Sequence, residues 1–261
     1  MPELHLRGTR LGDVDAVLFD KDGTLSISEP QLITLAEARV FLCLEAVPAE
    51  HRSELQTLLE RAYGLRADAI CPAGITAVAS RDHNLIATAT ALVQVGLGWP
   101  EALACSEAVF QEADRRDARR AGGDGATSAT TAGLKDWLQQ LCRAGVRCAV
   151  ISNDDMDGIE HFLISHGLRD CFAALWSAEH RPRKPDPAAV HGVCDQLGVM
   201  PARTALIGDA NSDLRMAVAA GIPHSLAIGY TAAWQMPPPL AEPHPLVHHW
   251  SELSLCGKAD A

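Results

Sequence analysis

Three apolar runs in this chain stop on residues able to do chemistry, and that pattern limits the fold more than any other feature. Val14-Asp15-Ala16-Val17-Leu18-Phe19 ends at Asp20 and meets the turn-forming pair Asp22-Gly23; Val146 to Ile151 ends at Ser152-Asn153; Thr204 to Ile207 ends at Gly208-Asp209. Between and after them the apolar spacing is helical. Residues 132–144, 154–166, 187–197 and 211–220 each read as a helix followed by Gly145, Gly167, Gly198 or Gly221, and His224 to Ile228 reads as a last strand. Strands alternating with helices predict an α/β fold, a Rossmann-like three-layer core whose mostly parallel sheet is covered on both faces. Such sheets bind ligands at the carboxyl ends of their strands, where Asp20, Ser152 and Asp209 fall.

One long stretch breaks the alternation. From about Gln31 to Arg120 the pattern is helical: Leu32, Ala36, Val40 and Leu44 recur every four residues, and Leu55, Leu58, Leu59 and Ala62 form a second stripe. Asn84 to Val95 and Glu101 to Arg119 read as further helices, and the stripes holding Phe41, Leu44, Leu55 and Leu59 as the core of this insert. A Pro- and Gly-bearing loop, Cys71 to Ile75, leads on to Arg81 and Asp82. The Gly-, Ala- and Thr-rich segment from Gly122 to Thr131 reads as a linker, with Gly122-Gly123 a candidate hinge. The expected division is a discontinuous core, residues 1–27 and 126–261, around a helical domain, residues 28–125.

Composition narrows the function classes. With 33 acidic against 22 basic residues the net charge is -11, which repels a polyanion, so nucleic acid is not an expected partner. No run approaches the roughly 18 apolar residues of a membrane span, and the first residues lack the layout of a secretory signal, so a cytoplasmic protein with no membrane association is expected. The eight cysteines are scattered without a CxxC pair and read as reduced, mostly buried side chains. His244, His248 and His249 read as surface histidines beside an edge strand, because no Cys or acidic ligand cluster accompanies them.

The chemistry gathers in four segments. Phe19-Asp20-Lys21-Asp22-Gly23-Thr24-Leu25 puts two carboxylates two residues apart in a turn. A carboxylate attacks a phosphate dianion only where a divalent cation and fixed positive groups bring the two anions together. Gly208-Asp209-Ala210-Asn211-Ser212-Asp213 supplies hard oxygen ligands of the kind magnesium prefers. Ser152-Asn153 offers a hydroxyl, a backbone N–H and a helix start for phosphate oxygens, or else merely caps that helix. In Arg183-Lys184-Pro185-Asp186-Pro187, Pro185 keeps Lys184 extended, while Asp186 as N-cap and Pro187 as first helical residue fix where the helix begins.

In this order, the four segments resemble the four motifs of the haloacid-dehalogenase-like (HAD) hydrolase superfamily, and the helical insert resembles its α-helical, C1-type cap. The resemblance implies a phosphoric monoester hydrolase with Asp20 as nucleophile and Asp22 as acid and base. It implies that Thr24, Ser152, Asn153 and Lys184 meet the phosphate, and that Mg2+ is bound by Asp20, the carbonyl of Asp22, Asp209 and Asp213, the last as support or lysine partner. Dehalogenases of the superfamily lack the second Asp, so Asp22 favours phosphate chemistry, and no lysine occurs between Ser26 and Gly125 to act as a cap Schiff base. The spellings look similar to phosphoglycolate phosphatases, with a small phosphorylated metabolite as substrate. A phosphomutase of the same superfamily is the alternative, and a non-catalytic binding protein the alternative from another class. Arg81 is a candidate for gripping a substrate carboxylate or second phosphate. Two spellings depart from the usual motifs: Lys21 replaces an apolar residue between the aspartates, and Arg183 replaces a glycine before Lys184. Lys21 is expected either to meet an anionic substrate or to point toward solvent.

Overall fold

A computed structural model describes residues 2–121 and 127–257. The chain opens with the antiparallel pair β1 (Pro2–Leu6) and β2 (Thr9–Asp13), continues into β3 (Ala16–Phe19), and reaches the two-residue β4 (Ser26–Ile27). Five helices follow: α1 (Glu29–Glu45), α2 (Arg52–Tyr63), the short α3 (Ile75–Val78), α4 (Arg81–Gln94) and α5 (Trp99–Ala121). The chain resumes with β5 (Ala129–Thr130), α6 (Leu134–Arg143), β6 (Arg147–Ile151), α7 (Met156–Ser165), β7 (Ala174–Trp176), α8 (Pro187–Leu197) and β8 (Thr204–Gly208). It closes with α9 (Asn211–Ala219), β9 (Ala227–Tyr230), β10 (Leu246–Val247) and β11 (Leu253–Gly257).

Six strands form one parallel sheet in the order β10-β9-β8-β3-β6-β7. Leu18 of β3 stands opposite Ala149 of β6 on one side and Leu206 of β8 on the other, so these three strands finish level. Every residue of β3 and β8 is buried, which requires helices on both faces. On the sheet, α8 packs against α9 and lies over β6 and β7, α9 lies over β8 and β9, and α6 packs on β6; α6 also meets β11, outside this sheet. The expected α/β architecture is therefore present. Helix α8 has the expected limits because Asp186 accepts the Ala188 N–H at 2.9 Å and Gly198 closes the other end at φ 64°.

Three differences stand out. β1, β2 and β11 form a separate antiparallel sheet that the reading above does not include: β1 alternates only Leu4 and Leu6 with polar residues, and β2 has Leu11 as its one apolar side chain. Helix α7 starts at Met156, two residues later than expected, because Asp155 is its cap and accepts the Gly158 N–H at 2.7 Å. His244 is buried, stacked on His224 at 4.0 Å between ring centroids and 3.2 Å from Glu242, whereas His248 and His249 are exposed. All eight cysteines are free; only Cys43, Cys148 and Cys194 are buried.

The chain divides into two compact units, Met1–Ile27 with Ala129–Ala261, and Ser28–Ser128. The candidate hinge Gly122-Gly123 lies outside the described residues. Within the helical unit, Ala36, Val40 and Cys43 of α1 meet Leu55, Leu59 and Tyr63 of α2 in a core shared with α4 and α5. Phe41 is 51% exposed, not part of this core: it follows Val40 by one residue, about 100° round the helix from the buried stripe.

Candidate active site

The loops leaving β3, β6 and β8 meet because their strands are neighbours. Asp20 is fixed by its N–H bonded to the Ile207 carbonyl at 2.9 Å, and Ser152 by its N–H bonded to the Trp176 carbonyl at 2.9 Å. Lys184 arrives from the loop before α8 and is buried. Its ammonium donates to Asp20 Oδ1 at 2.6 Å and lies 2.8 Å from Asp213 Oδ1. Asp209 completes the group: Asp20, Asp209 and Asp213, all buried, each bring a carboxylate oxygen within 4.8 Å of the others.

Three buried carboxylates share one ammonium, and the electrostatics show it. Burial pushes Asp20 up to about 7; Lys184 opposes that rise, while Asp213 and Asp22 add to it. Asp209 is raised well above its ordinary value by burial and then by Asp20 and Asp213. Burial works against the Lys184 ammonium, yet Asp20 and Asp213 outweigh it and the net direction is upward. Such an excess of buried negative charge is relieved by a cation, and an all-oxygen donor set suits a hard divalent ion. The cluster thus fits metal binding.

One contact at this cluster has no signal in the motifs, and it gives a motif glycine a second reason to be there. Trp234, buried in the segment after β9, donates its indole N–H to Asp209 Oδ2 at 2.6 Å. Gly23 turns at φ 83° directly beside them: a Cβ there would lie 2.3 Å from Asp209 Oδ2 and 2.4 Å from Trp234 Nε1, so only glycine fits.

Lys21 neither faces solvent nor stays free for a substrate. It is buried, donating to Asp22 Oδ1 at 2.7 Å, with its ammonium 3.0 Å from Asp154 Oδ2. Burial works against its charge, but Asp22 and Asp154 prevail and hold it protonated. Ser152 is buried, and its Oγ accepts the Asp154 N–H at 3.1 Å, which leaves its own O–H to donate elsewhere. Asn153 lies three residues ahead of α7 and does not cap it. Thr24 is wholly buried; its N–H bonds the Lys21 carbonyl at 3.3 Å and its carbonyl accepts the Thr131 hydroxyl at 2.9 Å, so it shapes the turn. In the helical unit, Arg81 grips Asp114 with two N–H groups at 3.0 and 2.7 Å and lies over Phe110, 5.3 Å from the ring centroid.

A family model described as haloacid dehalogenase-like hydrolase matches residues 14–221. The chain belongs to that family. The matched span runs from just ahead of β3 to Gly221, just past α9, so it takes in the four motif segments and the helical unit. A phosphoglycolate phosphatase of Photobacterium profundum is 26% identical over 123 residues, 47% of this chain and 53% of that one, so the chain spans about half the length of that relative. A phosphoglycolate phosphatase of Colwellia psychrerythraea is 26% identical over 224 residues, 85% of this chain and 88% of that one. The crystal structure of a predicted phosphoglycolate phosphatase from Haemophilus somnus 129PT superposes with a TM-score of 0.62 at 19% identity, covering 92% of this chain and 96% of that one, a likeness of fold. No helix among the described residues is long and apolar enough to cross a membrane.

Proposed function

We propose that this member of the haloacid dehalogenase-like family is a Mg2+-dependent phosphatase of a small phosphorylated metabolite, phosphoglycolate or a sugar phosphate, acting through a phospho-aspartyl enzyme. The observation that carries the reading is the buried contact of Lys184 with Asp20 beside Asp209 and Asp213, since a carboxylate nucleophile for phosphate needs these charges around it. The named phosphoglycolate phosphatases among its relatives supply the substrate class.

Asp20 and Asp209, with the Asp22 carbonyl, would hold the cation, and Asp213 would hold Lys184 in place. The bound cation would screen the repulsion between the Asp20 carboxylate and the phosphate. A carboxylate oxygen of Asp20 attacks phosphorus as the bond to the leaving oxygen breaks, and Asp22 hands that oxygen its proton. Lys184 and the Ser152 hydroxyl stabilise the charge on the phosphoryl oxygens. In the second half, water gives a proton to Asp22 and its oxygen bonds phosphorus, while the bond from Asp20 to phosphorus breaks. The helical unit acts as the cap, and Arg81 would grip a substrate carboxylate only by exchanging Asp114 for it.

The test is a screen of phosphorylated metabolites with Mg2+ and with EDTA, alongside Asp20→Asn. Hydrolysis of a small phosphate ester that needs the metal and vanishes in the variant supports the scheme. Full activity of Asp20→Asn overturns it.

A further inference from the structure

The feature left over from the site is the lysine between its two aspartates. An ammonium taken out of water is strongly disfavoured unless it is paired, and Lys21 is 7% exposed. What surrounds it is built for that charge: Asp22 Oδ1 at 2.7 Å, Asp154 Oδ2 at 3.0 Å, and the Phe162 ring with its centroid 5.6 Å away. Two carboxylates at its tip and the ring beside it hold the ammonium where it lies.

Its partners belong to two different loops. Asp22 leaves β3, and it is the group that the reading above makes acid and base. Asp154 leaves β6 and is itself fixed: its N–H meets Ser152 Oγ at 3.1 Å, its carbonyl accepts the Ala178 N–H at 2.8 Å, and its Oδ1 accepts the Asp155 N–H at 2.9 Å. Phe162 lies on α7, the helix that follows. The lysine therefore joins the loop carrying the proton donor to the loop carrying the phosphate-facing hydroxyl.

We propose that Lys21 is a positioning residue that holds the Asp22 carboxylate in register with the Ser152 loop, so that Asp22 meets the leaving oxygen. The inference rests on the phosphatase reading above. Lys21 does not contact the phosphoryl group itself in this scheme; its effect passes through Asp22, whose Oδ1 accepts from the ammonium while the other oxygen carries the proton that goes to the leaving group. Loss of the lysine then costs most where the leaving group most needs a proton. An alkyl phosphate departs as a strongly basic alkoxide, whereas p-nitrophenyl phosphate departs as a weakly basic phenolate that leaves unprotonated.

The test compares Lys21→Met, Lys21→Arg and Asp154→Asn with the wild-type protein on phosphoglycolate and p-nitrophenyl phosphate, both with Mg2+. The quantity read is kcat/KM, which runs only through leaving-group departure and so omits the shared second step. Lys21→Met is expected to lose about 100-fold on the alkyl ester and under about 10-fold on the aryl ester. Lys21→Arg should recover most of the alkyl activity, and Asp154→Asn, which frees the lysine from its far anchor, should reproduce the selective loss in smaller size. Equal losses on both esters, tracking a fall in melting temperature, or no loss on either, overturn the positioning role while leaving the phosphatase reading intact. Wild-type protein that cleaves neither ester nor any other phosphate overturns both.

Discussion

Trp234 donates its indole N–H to Asp209 Oδ2 at 2.6 Å, a bond between a loop after β9 and the carboxylate at the end of β8. It occupies one oxygen of a candidate metal ligand and fixes the plane of the other. Groups that orient a ligand from behind commonly contribute 10- to 100-fold in metal affinity. Trp234→Phe keeps an aromatic ring there and removes the donor, so it should weaken the apparent affinity for Mg2+ by about 10-fold or more, read from the metal dependence of hydrolysis. An unchanged metal titration would show the indole to be packing alone.

How far the site was legible in the sequence depends on the distance over which each residue finds its partner. The ends of β3, β6 and β8 are local features: an apolar run, then Asp20, Ser152 or Asp209. Helix α8 was readable at both ends because Asp186, Pro187 and Gly198 carry their own backbone preferences. Trp234 acts on a residue 25 positions earlier, from a segment with no regular structure, and nothing in its neighbourhood signals a partner. Lys21 illustrates the same limit. Its sequence neighbours say that a charge sits beside two aspartates, and only the fold supplies Asp154 and Phe162 to bury it. β1 and β11 pair Leu4 with Leu255 across almost the whole chain, with too few apolar residues to form a pattern. Phe41 misled because hydrophobicity alone does not say which side of α1 is covered.

The sheet is also pinned below the site. Asp15, just ahead of β3, is gripped by Arg203, just ahead of β8, with one of the two bonds at 2.8 Å. That hydrogen bond holds the Asp15 carboxyl below its ordinary value, against a smaller opposing effect of burial. A depressed acid contributes stability above its unfolded value, which is lost as pH falls through its folded value. Asp15→Asn should therefore lower the melting temperature by about 2 to 4 °C at neutral pH, the modest effect expected of a partly exposed pair. The gap to wild type should narrow as acid carries the pH below the ordinary carboxylate range and through the depressed value of Asp15. A gap that persists undiminished in acid would mean that the loss comes from packing and not from the charge.

Lys184 offers the sharpest probe of the carboxylate cluster, because it is the ammonium that touches both Asp20 and Asp213. Removing one partner of a buried ion pair leaves the other uncompensated, at about 3 to 5 kcal/mol. Lys184→Met should destabilise the metal-free protein by about that amount in urea unfolding, with hydrolysis lost. A divalent ion that binds only the folded state adds stability by mass action, about 2.7 kcal/mol at 100 times its dissociation constant. Mg2+ should therefore raise the unfolding midpoint of the variant as well as of wild type, and Asp209→Asn should reduce that gain in both backgrounds. If neither protein responds to Mg2+ while Asp20 and Asp209 are intact, the three carboxylates do not form a cation site, and their buried charge must be balanced by protons instead.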